Sequence, residues 1–173
     1  MKPKTVSRVG GKTPQTGNFT TYASRDTGML MGTTILTLEG EMPVEFLSIG
    51  DKVITRDSGI SKVTHIQRST RKVHTISLAA GSLGHTRPER DALLAGDQMC
   101  LIRDWRAQAL FGADRALVAA RTLVDGEFIC DLGMQEQTLI QIFCDGPHIL
   151  YADGLEISTA DGARARGQVL HAA

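Results

Sequence analysis

From residue 33 onward the chain is cut into short β-rich runs by turn-forming residues. Residues 33–38 (Thr-Thr-Ile-Leu-Thr-Leu) are followed by Glu39-Gly40-Glu41, residues 52–56 by Asp57-Ser58-Gly59, and residues 147–152 by Asp153-Gly154. Runs this short, punctuated at intervals of roughly ten residues, leave little room for the crossover helices that parallel strands require. They predict an all-β barrel or sandwich of short, mostly antiparallel strands. Residues 43–51 make a bend that buries Val44 and Leu47. Residues 61–68 form a strand whose Val63 and Ile66 fall out of phase, as at a bulge. Further strands are expected over 73–78, 129–132, 137–143 and 147–152, and a buried strand pair or one bent strand over 92–95 and 99–102. Residues 105–111 fit one helical turn or a strand, and residues 116–124 carry the pattern of a helix. No internal repeat of fixed period is present.

Composition narrows the function classes. The 19 Lys and Arg equal the 19 Asp and Glu, so no net field draws in nucleic acid or an anionic membrane. No stretch approaches the roughly 20 apolar residues of a membrane span. The N-terminus is basic without an apolar core, unlike a Sec signal, and the expected location is the cytoplasm, with signal-less export left open. Cys100, Cys130 and Cys144 give an odd count in apolar surroundings, which predicts buried free thiols in a reducing compartment. Residues 1–27, polar and without apolar periodicity, are expected to be a flexible tail, and 161–173 a second one. Arg87, Arg90, Arg103, Arg106, Arg115 and Arg121 are interleaved with acids and read as a solvated surface. Trp105, the single tryptophan, is expected to pack over a barrel end, with a binding anchor as the other reading.

Five pieces in order carry a family resemblance: Gly32-Thr33; the turn Leu47-x-x-Gly50-Asp51-x-Val53; residues 91–112, ending in Leu110-Phe111-Gly112; Leu117-Val118-x-Ala120-x-x-Leu123-Val124; and Phe143-x-Asp145-x-x-His148-Ile149-x-Tyr151-Ala152-Asp153-Gly154-Leu155. Over residues 28–160 the chain resembles the Hint module of hedgehog autoprocessing domains and inteins, in its bacterial Hint-domain subfamily. The resemblance implies a horseshoe-shaped all-β barrel. It also implies a chemistry in which a Cys thiol attacks the peptide carbonyl before it, a Thr/Ser-x-x-His pair activates that bond, and a second nucleophile attacks the thioester.

The chain departs from that chemistry at the positions that perform it. In the family register the nucleophile falls on Gly28 and the activating pair on Ala95 and Gln98, leaving His148 of the titratable set. Glycine has no side-chain atom to attack with, and an amide hydrogen-bonds but does not titrate. The expectation is a degenerate Hint domain acting as a binding or structural module for a protein or peptide segment. The alternative is self-cleavage near residues 27–28 through Thr27 or Cys100. For His148 the ordinary reading is a ring bonded to a turn carbonyl, and the functional one a remnant of the site oriented by Asp145 or Asp153. Cys144 and His148, four apart, share a face on a strand but make no zinc site by themselves. No cofactor or metal is expected, and the oligomeric state is left open.

Overall fold

The computed structural model describes residues 26–160. Twelve strands and one short helix follow one another: β1 (Met29–Leu30), β2 (Thr34–Thr37), β3 (Gly40–Pro43), β4 (Lys52–Thr55), β5 (Gly59–Lys62), β6 (His65–Leu78), β7 (Ala92–Ala95), β8 (Met99–Ile102), α1 (Trp105–Phe111), β9 (Ala116–Ala119), β10 (Ile129–Phe143), β11 (Ile149–Ala152) and β12 (Leu155–Ser158). Four strands in the order β1-β10-β6-β7 make one sheet; the other runs β3-β2-β4-β11-β12-β8-β9, with β5 on β4. Every pairing is antiparallel, and the all-β expectation holds. No helix among the described residues is long and apolar enough to cross a membrane.

The spine of the molecule is the β6–β10 ribbon, in register from Leu78 against Ile129 to His65 against Phe143, with a bulge between Asp131 and Met134. The sequence divides each of these strands in two, and the structure corrects that. Residues 67–72 show no apolar alternation because this stretch of β6 has no buried side chain, whereas Val73, Thr75, Ile76 and Leu78 are buried. The ribbon is held there by its backbone ladder and by polar contacts such as Thr70 Oγ1 to Thr138 Oγ1 at 2.9 Å, which leave no hydrophobic signature. The break falls earlier, at Val63-Thr64, where Val63 N–H bonds Asp51 O at 2.9 Å and Thr64 N–H bonds Phe143 O at 2.8 Å.

Two further expectations, for residues 116–124 and for Trp105, are corrected, and two that left alternatives open are decided. Residues 116–124 are strand β9 and a 3-10 turn over Ala120–Leu123, because pairing of Ala116–Ala119 against β8 outweighs the helical propensity of Ala and Leu. Residues 105–111 are α1: Asp104 caps it by accepting from Arg106 N–H at 3.1 Å, and Gly112 ends it in a left-handed conformation. Trp105, on that helix, is 69% exposed and does not cover a barrel end; the Arg106 guanidinium lies 5.1 Å from its ring centre. Residues 92–95 and 99–102 form two strands that belong to different sheets.

Val44 and Leu47 are buried as expected, in the main core with Ile35, Ile76, Leu150 and Ile157. Cys100 and Cys144 are buried, but Cys130 is only half-buried, since it lies next to the exposed side chains of the β10 bulge. The arginines are not uniformly solvated. Arg87 and Arg103, with Arg56, converge on Glu156, which is 3% exposed, at 2.9 to 3.1 Å.

Candidate functional site

The turn that links β7 to β8 delivers residue 98 to the start of the described chain. Gln98 N–H closes this turn on Ala95 O at 3.0 Å, and Asp97 N–H reaches Asp26 O at 3.0 Å. The Gln98 side chain is 3% exposed. Its Oε1 accepts from Gly28 N–H at 3.0 Å, while its Nε2 donates to Ser158 O at 2.9 Å and Met99 O at 3.3 Å. Only this orientation of the amide faces its oxygen to a donor and its nitrogen to two acceptors.

The other end of the same peptide bond is held from β10. Gln141 Nε2 donates to Thr27 O at 3.2 Å and to Thr27 Oγ1 at 2.9 Å. The Thr27–Gly28 bond therefore has an amide on its carbonyl and another amide on its N–H. Thr27, the last residue of the expected N-terminal tail, is 5% exposed; residues 1–25 and 161–173 lie outside the described residues.

Gly28 has a φ of +130°, a conformation that side-chain-bearing residues rarely adopt. A Cβ built there meets Gln141 Cγ and Leu139 Cβ at 3.2 Å and Ile140 O at 3.4 Å. Ala95 is fully buried in an apolar cluster with Leu30, Val73 and Leu139. Gly28 is thus fitted to its surroundings by backbone and space, and Ala95 by apolar packing.

His148 is held apart from these residues, between the β4–β5 and β10–β11 turns. Its Nδ1 lies 2.7 Å from Asp57 Oδ2, and its Nε2 lies 2.8 Å from Asp145 Oδ1. Ser61 Oγ donates to Asp145 Oδ1 at 2.8 Å, Ile149 N–H donates to Asp57 Oδ1 at 3.0 Å, and Ser58 Oγ is 3.3 Å from Nδ1. Burial works against the ring's charge, but the hydrogen bonds and charges of Asp145 and Asp57 outweigh it and raise its pKa above the ordinary histidine value. The same His148 bond, and then the Ser61 hydroxyl, hold the Asp145 pKa below its ordinary value. Of the two carboxylates expected beside the ring, Asp145 touches it. Asp153 does not, since its Oδ1 accepts from Thr34 N–H at 3.1 Å and from Arg90 at 3.4 Å. The ordinary reading of a ring on a turn carbonyl is also replaced, because carboxylates take both nitrogens.

Cys100 is paired with Ile157 and Val118 across neighbouring strands. Burial, then the Glu156 charge, push its thiol up to about 12, so it stays protonated at neutral pH and is a poor nucleophile. Cys144 follows the end of β10 and His148 precedes β11, so the two do not share one strand face. Among the described residues no group of three or more His, Cys, Asp and Glu side chains is placed to hold a metal ion.

Gln141 and Asp57 escaped the sequence reading. Gln141 carried a signal: a lone amide between the buried Ile140 and Ile142 in a strand. Asp57 carried none, because its turn meets His148 across a separation of 91 residues.

The family model of the Hint domain matches residues 27–162. Among solved structures the chain is similar to the MchDnaB-1 intein, at 8% identity and a TM-score of 0.51, with 76% of this chain and 98% of that chain covered. It is similar also to a bacterial intein-like domain from Clostridium thermocellum, at 16% identity and a TM-score of 0.49, covering 77% and 97% of the two chains. No curated protein matches.

Proposed function

From the premise that the chain belongs to the Hint-domain family, we propose that it is a catalytically silent Hint domain that keeps its own junction bond intact and serves as a binding or structural module. One observation carries this reading: the Thr27–Gly28 bond is gripped at both ends by neutral amides, with no nucleophilic atom on residue 28. An acyl shift needs an attacking thiol or hydroxyl on that residue and a proton for the departing nitrogen. Gln98 accepts from that nitrogen's N–H and carries no titratable proton. Its second amide function is engaged by Ser158 O, which ties the junction to the end of β12. The partner that such a module holds is a protein or peptide segment at this junction.

The test is the intact mass of the freshly purified chain, followed over a day with and without thiol or hydroxylamine. An unchanged mass is expected. Thiol-dependent loss of the segment before Gly28 overturns the reading and assigns the nucleophile elsewhere, with Thr27 and Cys100 the residues to substitute first.

A further inference from the structure

Both ring nitrogens of His148 face carboxylate oxygens, at 2.7 Å and 2.8 Å. Only the imidazolium can donate to both, because a neutral imidazole has one N–H and presents a lone pair at its other nitrogen. A neutral ring in this geometry sets a lone pair against a carboxylate, so loss of the proton has to break one of the two contacts. The two are unequal. Asp57 is fixed from behind by Ile149 N–H at 3.0 Å. The Asp145 side chain is 73% exposed and keeps the Ser61 hydroxyl when it leaves the ring. Asp145 is therefore the contact that opens.

The backbone of His148 is joined to residues 158–160, and these are joined through Gln98 to Gly28. His148 N–H donates to Thr159 Oγ1 at 3.0 Å, and Thr159 N–H returns to His148 O at 2.9 Å. The carbonyl just before Thr159, Ser158 O, accepts from Gln98 Nε2, and Gln98 Oε1 accepts from Gly28 N–H. Hydrogen bonds, linked covalently through the His148 side chain and the Ser158–Thr159 peptide, thus connect the β4–β5 turn to the junction bond.

We infer that His148 is a pH-sensitive clip on the junction: as an imidazolium it ties the β4–β5 and β10–β11 turns together and steadies Thr159 and Gly28, and on losing its proton it releases Asp145 and loosens them. The charged groups facing the ring are Asp57 from the β4–β5 turn and Asp145 from the β10–β11 turn, with the Ser58 hydroxyl beside Nδ1. Both charges favour the imidazolium, so the clip is closed at low pH and opens as pH rises through the raised ring pKa. This regulation rests on the reading that the junction bond stays uncleaved.

The experiment is amide hydrogen exchange of the full chain by NMR between about pH 5.5 and 8.5, a window around the ordinary histidine pKa of ~6.5. Exchange is expressed as protection factors, which remove its intrinsic pH dependence, and the His148 ring is titrated in the same samples. Protection at Thr159 and Gly28 is expected to fall roughly fivefold through the ring's own transition, about what losing one exposed ion pair amounts to. Asp145→Asn, at an exposed side chain, is expected to move that transition to lower pH. His148→Gln is expected to leave protection low and flat. Protection factors that stay constant while the wild-type ring titrates overturn the proposal, and so does an Asp145→Asn transition that does not move. The intact mass of each sample separates this failure from that of the silent-module reading: a cleaved chain sinks the latter, while the clip is still read on the uncleaved fraction.

Discussion

The junction at Gly28 and the β11–β12 hairpin are joined through Gln98 and Ser158, yet opposite kinds of chemistry hold them. The Arg121 pairs with Asp26 and Asp97 lie one residue away from Thr27 and Gln98, and on the Thr27–Gly28 bond itself the contacts are neutral amides and apolar packing from Gln98, Gln141 and Ala95. Around the hairpin they are ionic: His148 between two carboxylates before β11, and three guanidiniums on Glu156 within β12. The difference separates two uses of polar residues. At the junction bond the amides of Gln98 and Gln141 hold the backbone. On the hairpin, charges persist because each one fixes turns or strand ends distant in sequence. Arg56, Arg87 and Arg103 follow β4, lie in the loop before β7, and follow β8, and one carboxylate gathers them.

The comparison breaks most visibly at Glu156. Glu156→Ala leaves three guanidiniums facing one another without their counter-charge, and a loss of about 3–5 kcal/mol in chemical denaturation is expected, as for one partner removed from a buried ion pair. A loss below about 1 kcal/mol, the range of surface pairs, places the hub in the same class as a solvated patch and erases the contrast.

Gln98→Leu tests the neutral side. It keeps the bulk but strands Gly28 N–H and Ser158 O, at about 1–3 kcal/mol for each unpaired buried group. The same denaturation measurement checks it, and near-wild-type stability means that water replaces the amide and that the grip is not essential.

Gly28→Cys puts a thiol at the position where the family resemblance expects the nucleophile. It is expected to cost about 1–3 kcal/mol for a side chain held at positive φ, with its Cβ crowded by Gln141 and Leu139. It is also expected to yield no hydroxylamine-sensitive thioester by intact mass, since residue 98 supplies no proton. A thioester from this single change would show that the neutral clamp is no barrier and that the missing nucleophile alone silences the site.

The smallest effect belongs to His148. Its folded-state pKa is raised, so its stabilisation is fully present below the unfolded histidine value and is lost as pH rises through the folded one. The sign follows from linkage: above the unfolded value the folded chain binds more protons than the unfolded one, so stability falls with pH there. Wild-type stability is expected to decline across that window by under about 1 kcal/mol, the scale of partly exposed ion pairs, and His148→Gln to flatten the decline. A decline of the same size in His148→Gln assigns it to another group.

Much of the site was legible as residue identity. Gly28, Ala95 and Gln98 stand where the resemblance places a nucleophile and its activating pair, and substitution there reads directly as missing chemistry. How the remaining residues are used was not legible. Gln98 reads as an amide of unknown partner until the β7–β8 turn carries it to Gly28, and Gln141 reads as a strand residue until the register of β10 against β1 sets it beside Thr27. Cys100 reads as a core residue, with a stand-in nucleophile as the lesser alternative, and in the structure it is buried.

The sequence by itself determined the all-β class, the turns at Asp57-Ser58-Gly59 and Asp153-Gly154, the buried Val44 and Leu47, and the absence of a nucleophile at residue 28. Each of these depends on residue type and on spacing within a few positions, where side-chain chemistry and backbone preference act locally. The long β6–β10 ribbon, the β9 strand in place of a helix, the Glu156 hub, the two carboxylates on His148 and the two-amide grip were decided only by the tertiary structure. In each, the partners lie far apart in the chain: 70 residues separate Gly28 from Gln98, 114 separate Thr27 from Gln141, and 100 separate Arg56 from Glu156. Hydrogen bonds and ion pairs act over a few ångströms, so which polar groups satisfy one another is known only once the sheets have set their distances.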